Sequence, residues 1–383
     1  MTIARGIKTP IVKVNDNLVE IVTKSIFLDM EKKGYELNDK DVIGITESIV
    51  SIANNNYASV DNIKDDINSK YQGDDLGIVF PMLSRNRFAI LLKAFARAKK
   101  ELTILLSYPH DEVGNPIMDL NKLNELNINP YKDILSEEEY YNSFKDFVHP
   151  WTKINMVDYY KEVCEIENSN CKIVFSNNPL DILKYTNNVL VSNVHERFKT
   201  KKTFKDIKDV VLYGLDDILT KSIDGSGFNS KYGLLGTNLA TKEKVKLFPS
   251  DNQELLKDIQ NAIYNKTNKL VEVMIYGDGA FKDPVSSIWE LADPVVSPSY
   301  TKGLIGSPDE VKLKYLVEDK FSNLEGIALE EAIKEFKEQN KNLDAALGTT
   351  PRRYIDLLGS LCDLVSGSGD KGTPVVLIQN YFK

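Results

Sequence analysis

Apolar residues recur along the chain at two spacings, and each spacing predicts a different element. Over residues 17–33 they return every three or four positions, which predicts a helix that Gly34 ends. Over 41–46, 102–106 and 271–275 they form short runs rich in β-branched residues, which predict buried strands. Because helices and strands do not alternate as a regular βαβ series, the pattern favours an α+β fold with mixed sheets, surrounding helices and two subdomains.

Two further stretches carry helical spacing. Residues 207–219 predict a helix with Asp216 and Asp217 on its outer face. Residues 311–339 are highly charged, and their acids and lysines four positions apart suit an exposed helix with a break near Asn323. Adjacent carboxylates such as Asp216 and Asp217 are candidate magnesium ligands, although neighbours in sequence usually point in different directions.

Acids and glycines follow the predicted strands. The run at 271–275 ends in Tyr-Gly-Asp278-Gly, and Glu47 follows the strand at 41–46. Glycines permit positive φ and the close approach of a ligand to the backbone. Similar glycine turns, each next to an apolar run, stand at 225–227, 233–238 and 367–372. We expect these turns to converge on one site for an anionic, phosphorylated ligand, although each turn alone is more often structural.

Two arginines lie in an unfavourable position. Ser84 is a good N-cap for the helix predicted over 89–100, which places Arg85 and Arg87 in its first turn. Cations there oppose the helix dipole. The placement is explained if the two guanidinium groups bind a carboxylate or phosphate of a substrate. Pairing with local acids on the surface is the alternative.

Composition narrows the function classes. The 383 residues are 42% hydrophobic and 27% charged, as in soluble globular proteins. The net charge of −8 argues against general nucleic-acid binding. Three cysteines without CxxC spacing give neither a disulfide framework nor a zinc motif, and no apolar stretch is long enough for a signal peptide or a membrane span. We therefore expect a cytoplasmic protein with no membrane or nucleic-acid partner.

Five segments carry a resemblance to a known family. They are Thr9-Pro10-Ile11-Val12, residues 45–53 (ITESIVSIA), residues 231–238 (KYGLLGTN) with the KLFP segment that follows, residues 276–279 (YGDG) and residues 367–374 (GSGDKGTP). Together they resemble the motifs of the coenzyme F420-0:L-glutamate (γ-glutamyl) ligase family. The similarity spans most of the chain and implies a ligase-like core of residues 1–85 and 200–383, with residues 86–199 as an inserted subdomain.

Several family positions carry other residues here. Ile52 stands where the family has a lysine. Leu235 and Tyr276 stand where it has metal-binding aspartates, although Asp278 lies two residues beyond Tyr276. Ser368 stands where its last motif has a glutamate. Two hypotheses therefore remain: a ligase, or a non-catalytic member of the same fold that binds an anionic ligand and has lost metal chemistry.

The resemblance implies a reaction and its ligands. A nucleotide, GTP or ATP, phosphorylates a small-molecule carboxylate, and the amine of glutamate or a related amino acid attacks the acyl phosphate to give an amide. The nucleotide would contact Pro10, Ile11, Ser48, Gly225, Gly227, Asn238, Gly367, Gly369, Lys371 and Gly372. Mg²⁺ or Mn²⁺ would be held by Glu47, Asp278 and Asp283. Arg85 and Arg87 would bind the substrate carboxylate.

The resemblance also implies a homodimer. We expect light scattering to give a mass near twice that of the 43.2 kDa chain. A monomer at every protein concentration would count against the resemblance at the level of assembly.

Overall fold

The computed structural model describes residues 1–150, 152–250, 252–277, 281–282, 289–290, 297–308, 311–339, 353–366 and 372–382. Some of the candidate residues named above lie outside these ranges: Asp278, Asp283, Gly367, Gly369 and Lys371. Their roles stay sequence predictions.

Strands and helices are numbered separately, each in chain order. The strands are β1 (Ile3–Ile7), β2 (Val42–Thr46), β3 (Tyr57–Ser59), β4 (Asp75–Val79), β5 (Glu101–Leu106), β6 (Leu135–Ser136), β7 (Asn170–Phe175), β8 (Asn188–Val191), β9 (Val211–Gly214), β10 (Asn238–Thr241), β11 (Lys244–Lys246), β12 (Glu272–Tyr276), β13 (Phe281–Lys282), β14 (Trp289–Glu290), β15 (Ser299–Tyr300) and β16 (Val375–Gln379). The helices are α1 (Leu18–Lys33), α2 (Glu47–Ala53), α3 (Val60–Lys70), α4 (Phe88–Ala98), α5 (Leu120–Glu125), α6 (Glu137–Phe144), α7 (Met156–Ile166), α8 (Arg197–Thr203), α9 (Gln253–Thr267), α10 (Leu313–Tyr315), α11 (Gly326–Gln339) and α12 (Tyr354–Ser366).

Local sequence signals set the ends of several helices. At the start of α1, the side chain of Asn17 accepts a hydrogen bond from the N–H of Glu20 at 3.1 Å, and Gly34 ends the helix with a φ of 66°. At the start of α3, Ser59 and Asn62 form a reciprocal capping box. These caps satisfy backbone groups that a helix end leaves unpaired. The helix predicted before Gly34 is confirmed.

A five-stranded mixed sheet has the order β1-β16-β2-β12-β15 and contains the strands predicted at 41–46 and 271–275. β2 and β12 pair in parallel, and the other neighbours pair antiparallel. Ile43 and Ile45 of β2 pack with α1, α2 and α9 on one face, whereas Val42 packs with α12 on the other. Because both faces of the sheet are covered, nearly every residue of β2 is apolar.

A six-stranded sheet has the order β6-β7-β5-β4-β8-β9 and is parallel except for the edge strand β6. In chain order its parallel strands are arranged 3-2-1-4-5, the order of doubly wound dinucleotide-binding folds. Helices α3, α4 and α7 cover one face, and α8 with the short helix Pro179–Lys184 covers the other. The sequence did not predict this parallel unit, because its crossovers differ greatly in length and only some contain a long helix.

A three-stranded antiparallel sheet, β10-β11-β3, connects the two larger sheets. β3 follows α2, which packs on the five-stranded sheet, and precedes α3, which packs on the six-stranded sheet. The N–H of Leu239 in β10 donates to Asn86 O, just before α4, at 3.1 Å. The α+β fold with mixed sheets and surrounding helices is confirmed. The two-subdomain division stays a prediction; the six-stranded sheet itself spans Asp75 to Gly214.

The helix predicted over 207–219 is wrong. Val211–Gly214 form strand β9, which pairs in parallel with β8, and Leu215–Asp217 form one 3-10 turn. The β-branched residues at the start of this segment favour a strand once the edge of β8 is available to pair with them. Over this short segment, the apolar residues of a strand and of the tight turn after it fall at the spacing expected of a helix.

The two acids of this segment, Asp216 and Asp217, lie beside cations. Lys201 Nζ lies 2.7 Å from Asp216 Oδ1 and 2.6 Å from Asp217 Oδ2. Arg197 Nε lies 3.3 Å from Asp216 Oδ2. These ion pairs occupy the carboxylates that the sequence offered as magnesium ligands, so their observed role is structural.

Asp111 is a buried carboxylate that organises the loop after β5. It accepts hydrogen bonds from the N–H groups of Leu83 at 3.0 Å, Val113 at 3.1 Å and Asn115 at 2.9 Å, and from the Asn115 side chain at 2.8 Å. Burial raises the pKa of Asp111, and these donors offset part of that effect. The carboxylate therefore fastens the loop after β5 to the loop after β4.

We expect Asp111→Ala to lower the free energy of unfolding by about 3 kcal/mol or more, because each buried N–H left without a partner costs roughly 1–3 kcal/mol. Asp111→Asn keeps the size and part of the acceptor capacity and should cost less. Urea denaturation followed by circular dichroism measures both variants. Small and equal effects of the two substitutions would contradict the structural role.

Candidate functional site

The carboxyl ends of the parallel strands β2 and β12 lie side by side at one edge of the five-stranded sheet. Thr46 pairs with Tyr276 in the last register position, and Glu47 follows directly as the first residue of α2. A cleft of about 680 Å³ opens at this edge. Ligands of open α/β sheets bind outside the carboxyl ends of the strands, which makes this cleft the first candidate site.

Two backbone segments, after β1 and before β16, form one wall of the cleft. The N–H of Thr9 donates to Gly372 O at 3.4 Å, and the N–H of Thr46 donates to Pro374 O at 2.9 Å. Gly372 has a φ of 62°, a conformation that glycine adopts without strain. Ile11 is 86% exposed at this wall, so an apolar side chain is available to a ligand.

The three-stranded sheet forms another wall. Asn238 of β10, Lys246 of β11 and Tyr57 of β3 face one another in the antiparallel register, and all three line the cleft. Side chains directly opposite each other in an antiparallel pair project to the same face. The register therefore presents an amide, an ammonium group and a phenol in one row toward the cleft.

Lys246 joins this wall to the start of α2. Its Nζ lies 2.7 Å from Ser48 Oγ and 3.4 Å from Glu47 Oε1. The side chains of Lys246 and Glu47 are only 12% and 4% exposed, so solvent screens the pair little. Glu47 lies in the first turn of α2, where a negative charge also interacts favourably with the helix dipole.

The structure brings several sequence-predicted site residues together at this cleft. They are Pro10, Ile11, Glu47, Ser48, Asn238 and Gly372. They come from the loop after β1, the start of α2, β10 and the segment before β16, which are far apart in the chain. Their convergence agrees with the expectation of one site, while their roles toward a ligand stay predictions.

Gly225 and Gly227 are not among the described residues that line the cleft. The N–H of Gly227 donates to Tyr57 O at 2.7 Å, and a Cβ at Gly227 would lie 2.4 Å from Asn56 Oδ1. Gly225 has a φ of 76°, and apart from its chain neighbours no atom of the described residues lies within 4 Å of the position that a Cβ would take. The glycine of position 227 thus permits close packing against β3, and this accounts for it without a phosphate.

Arg85 and Arg87 also lie outside the described lining of the cleft, in the loop between β4 and α4. Arg85 is exposed; burial, and then the nearby charge of Arg85, lower the pKa of His149. Arg87 borders a cavity of only about 30 Å³. Between them, Asn86 O accepts the hydrogen bond from Leu239 described above, so the arginine loop contacts the cleft strand β10.

The small cavity beside Arg87 lies where the strand order of the six-stranded sheet reverses, between the carboxyl ends of β4 and β8. Dinucleotides bind at this place in doubly wound folds. Here Leu234 and Leu235 border the cavity, and the N–H of Leu234 donates to Leu215 O at 2.9 Å. The chain itself therefore occupies the usual ligand crevice.

The described residues do not assemble a divalent-metal site. Within the described ranges, no three His, Cys, Asp or Glu side chains are close enough to share an ion. Among the described residues of the cleft, the carboxylates are Glu47 and Asp363, and Glu47 already faces Lys246. A divalent ion bound to this carboxylate would therefore lie close to the Lys246 ammonium group, whose positive charge would repel it.

Sequence reasoning missed Lys246 and Tyr57. Val245 is buried between Lys244 and Lys246, so the strand alternation already placed both lysines on the face opposite Val245. The register in which β11 pairs with β3 and β10 cannot be deduced from the sequence. That register decides that Lys246 is the lysine that reaches the start of α2.

A second, polar cleft of about 530 Å³ is lined by three cations, Arg197, Lys231 and Arg353. Arg197 pairs with an acid as described above, and Arg353 makes two 2.8 Å hydrogen bonds to Asp356. Lys231 Nζ lies 4.9 Å from the centre of the Tyr232 ring. Asn229, Ser250, Gln253 and Tyr300 complete much of the lining. This cleft was not predicted from the sequence, because its cations come from three separate segments.

A family model described as F420-0:Gamma-glutamyl ligase matches residues 6–380. The chain belongs to the F420-0:gamma-glutamyl ligase family. Membership confirms the resemblance seen in the sequence, and it indicates an amide-forming ligase with small-molecule substrates. Comparison with functionally curated proteins gave no match. None of the described helices is long and apolar enough to cross a membrane.

In this member of the F420-0:gamma-glutamyl ligase family, the two positions that the motifs equate with metal-binding aspartates hold Leu235 and Tyr276. Leu235 is 2% exposed and belongs to the apolar core of the six-stranded sheet. Tyr276 is 1% exposed and borders the cleft. The first of these positions therefore lies in the core, where an ionised carboxylate would be costly.

We expect Gly227→Ala to lower the free energy of unfolding by roughly 1–3 kcal/mol, because the added methyl group would overlap Asn56 and shift β3. Ser230→Ala, an exposed change in the same segment, should stay within about 0.5 kcal/mol of the wild type. Chemical denaturation measures both variants. If Gly227→Ala keeps full stability but loses nucleotide binding, the turn is a phosphate loop and the packing explanation fails.

Proposed function

We propose that this protein is a nucleotide-dependent amide ligase that activates a substrate carboxylate as an acyl phosphate. The observation that carries the proposal is the convergence of predicted nucleotide contacts on one cleft beside Lys246. The cleft offers an apolar edge for a base and hydrogen-bond donors for phosphate oxygens. GTP is the nucleotide that the family resemblance implies, with ATP as the alternative.

In the proposed reaction, a carboxylate oxygen of the acceptor attacks the γ-phosphorus, the bond from that phosphorus to the bridging oxygen breaks, and the nucleoside diphosphate leaves. The amine of glutamate or a related amino acid then attacks the acyl carbon. The carbon–oxygen bond to phosphate breaks, inorganic phosphate leaves, and the nitrogen loses a proton. Such phosphoryl transfer depends mainly on positioning and charge stabilisation. Lys246 supplies positive charge, and Ser48 and Asn238 supply hydrogen-bond donors.

Arg85 and Arg87 remain the proposed ligands of the acceptor carboxylate. Their loop is hydrogen-bonded to β10, so it lies next to a wall of the nucleotide cleft without lining it. The second, cationic cleft offers a place for another anionic group of the acceptor. Helix α12 borders both clefts: Ile355 lines the cationic cleft, and Asp363 lines the nucleotide cleft. These two positions are eight residues apart, which corresponds to about 12 Å of helix. An elongated acceptor would reach both clefts.

Mg²⁺ or Mn²⁺ remains an expectation drawn from the resemblance. When bound, such an ion neutralises charge on the triphosphate. Glu47 is the candidate ligand within the described residues, and Asp278 and Asp283 lie outside them. Because Glu47 already faces Lys246, no step of the proposed reaction is assigned to a metal.

A second candidate function is a non-catalytic member of the family that binds an anionic ligand. The observation that favours it is the replacement of both metal-binding positions by the buried residues Leu235 and Tyr276. The cleft, the glycine at its wall and the cation are common to both candidates. They differ in whether a bound nucleotide transfers its γ-phosphoryl group.

Thermal unfolding with GTP and with ATP tests the nucleotide site. At 100 times its Kd, a ligand of the native state adds about 2.7 kcal/mol to the free energy of unfolding. We expect this stabilisation in the wild type, and we expect Asn238→Leu to weaken nucleotide binding about tenfold, because it removes an amide from the cleft wall. Asn121→Leu, the same change at an exposed position of α5, is the control.

Hydroxylamine separates the two candidates, because it traps acyl phosphates as hydroxamates. The protein is incubated with nucleotide, hydroxylamine and a set of small carboxylic acids. Hydroxamate that forms only with nucleotide supports the ligase. Nucleotide binding without hydroxamate from any acid favours the non-catalytic member. If neither GTP nor ATP stabilises the protein in the thermal-unfolding experiment, the proposed function is wrong.

A further inference from the structure

We propose that Lys246 is a fixed cation that binds the phosphate groups of the nucleotide, in place of the divalent ion that the family resemblance implies. The inference rests on the proposed function of the cleft as a nucleotide site. It names the ligand class as a di- or triphosphate chain, and it makes binding independent of a metal.

Lys246 is positioned before any ligand binds. It belongs to β11, the central strand of the three-stranded sheet, so its backbone is held on both sides. Its amine is held by Ser48 at 2.7 Å and by Glu47 at 3.4 Å. A cation that is already oriented loses little conformational entropy when an anion arrives. Among the described residues that line the cleft, Lys246 is the sole cation.

The differences between this chain and the family motifs are consistent with a cation at a different position in the same cleft. Ile52, at the position of the family lysine, lines the cleft from α2, and Lys246 reaches toward the first turn of that helix from β11. Tyr276, at the position of a metal-binding aspartate, lines the cleft as well. Compared with the family motifs, one wall of the cleft has Ile52 in place of a lysine, another wall carries Lys246, and a position of an acidic ligand holds Tyr276.

Glu47 keeps the charge of Lys246 balanced while the cleft is empty. A phosphate chain carries more negative charge than one carboxylate, and lysine is a common point-charge ligand of phosphate. An incoming phosphate therefore competes with Glu47 for the ammonium group. Removal of the Glu47 charge should strengthen anion binding, whereas a purely structural ion pair would predict only lower stability.

Isothermal titration calorimetry with GTP and with inorganic tripolyphosphate, each in EDTA and in Mg²⁺, tests the proposal. We expect the wild type to bind both probes in EDTA, with affinities within about threefold of those in Mg²⁺. Lys246→Met should weaken binding in EDTA at least about tenfold, the loss of one charge-assisted contact. Lys246→Arg should restore part of the affinity. Lys244→Met, the same change on the same face of β11 but outside the cleft lining, should bind as the wild type does.

Glu47→Gln provides an independent measurement, since it should raise the affinity for tripolyphosphate in EDTA. Wild-type binding only in the presence of Mg²⁺ or Mn²⁺, wild-type affinity in Lys246→Met, or unchanged affinity in Glu47→Gln overturns the role of Lys246 and leaves the nucleotide site intact. A wild type that binds neither probe in any buffer overturns the proposed function of the cleft, and the role of Lys246 with it.

Discussion

The parallel pairing of β2 with β12 is the contact on which the candidate site depends. Parallel strands deliver their carboxyl ends to the same sheet edge, so Thr46 and Tyr276 stand side by side although the whole six-stranded unit separates them in the chain. Every other wall is placed relative to the end of β2. β16 pairs with it and brings in Gly372, and the chain that leaves α2 becomes β3 and brings in Tyr57.

Local signals in the sequence were sufficient for much of this fold. The helix end at Gly34 and the apolar runs of β2 and β12 depend on only a few neighbouring residues each, and both were interpreted correctly. The predictions that failed concern elements whose structure depends on residues far away in the sequence. β9 is a strand because β8 offers it an edge, and no local window contains that edge. The site followed the same rule: Pro10 and Asn238 were found through motifs, whereas Lys246 acquires its place only from sheet register.

The glycine turns show why one composition serves two purposes. Gly372 has a left-handed backbone at the rim of the cleft, where the main chain can approach a ligand. Gly227, by contrast, lies against Asn56, which occupies the space that a methyl group at position 227 would need. The two glycines look alike in sequence, but Gly372 is favoured by its positive φ, whereas Gly227 is needed because a side chain there would overlap Asn56.

The position of β16 has a consequence for how the chain is made. β16 lies between β1 and β2, yet it is formed by Val375–Gln379. The strands of the six-stranded sheet are complete at Gly214, so they can begin to pair on the ribosome while β16, an interior strand of the other sheet, is still untranslated. β16 is made about 330 residues after β2, so synthesis at about 5–20 residues per second leaves β2 without that neighbour for roughly 15–65 s. During this interval its edge is a place where another nascent chain can pair, and the cleft, which needs Gly372, is among the last parts of the molecule to form.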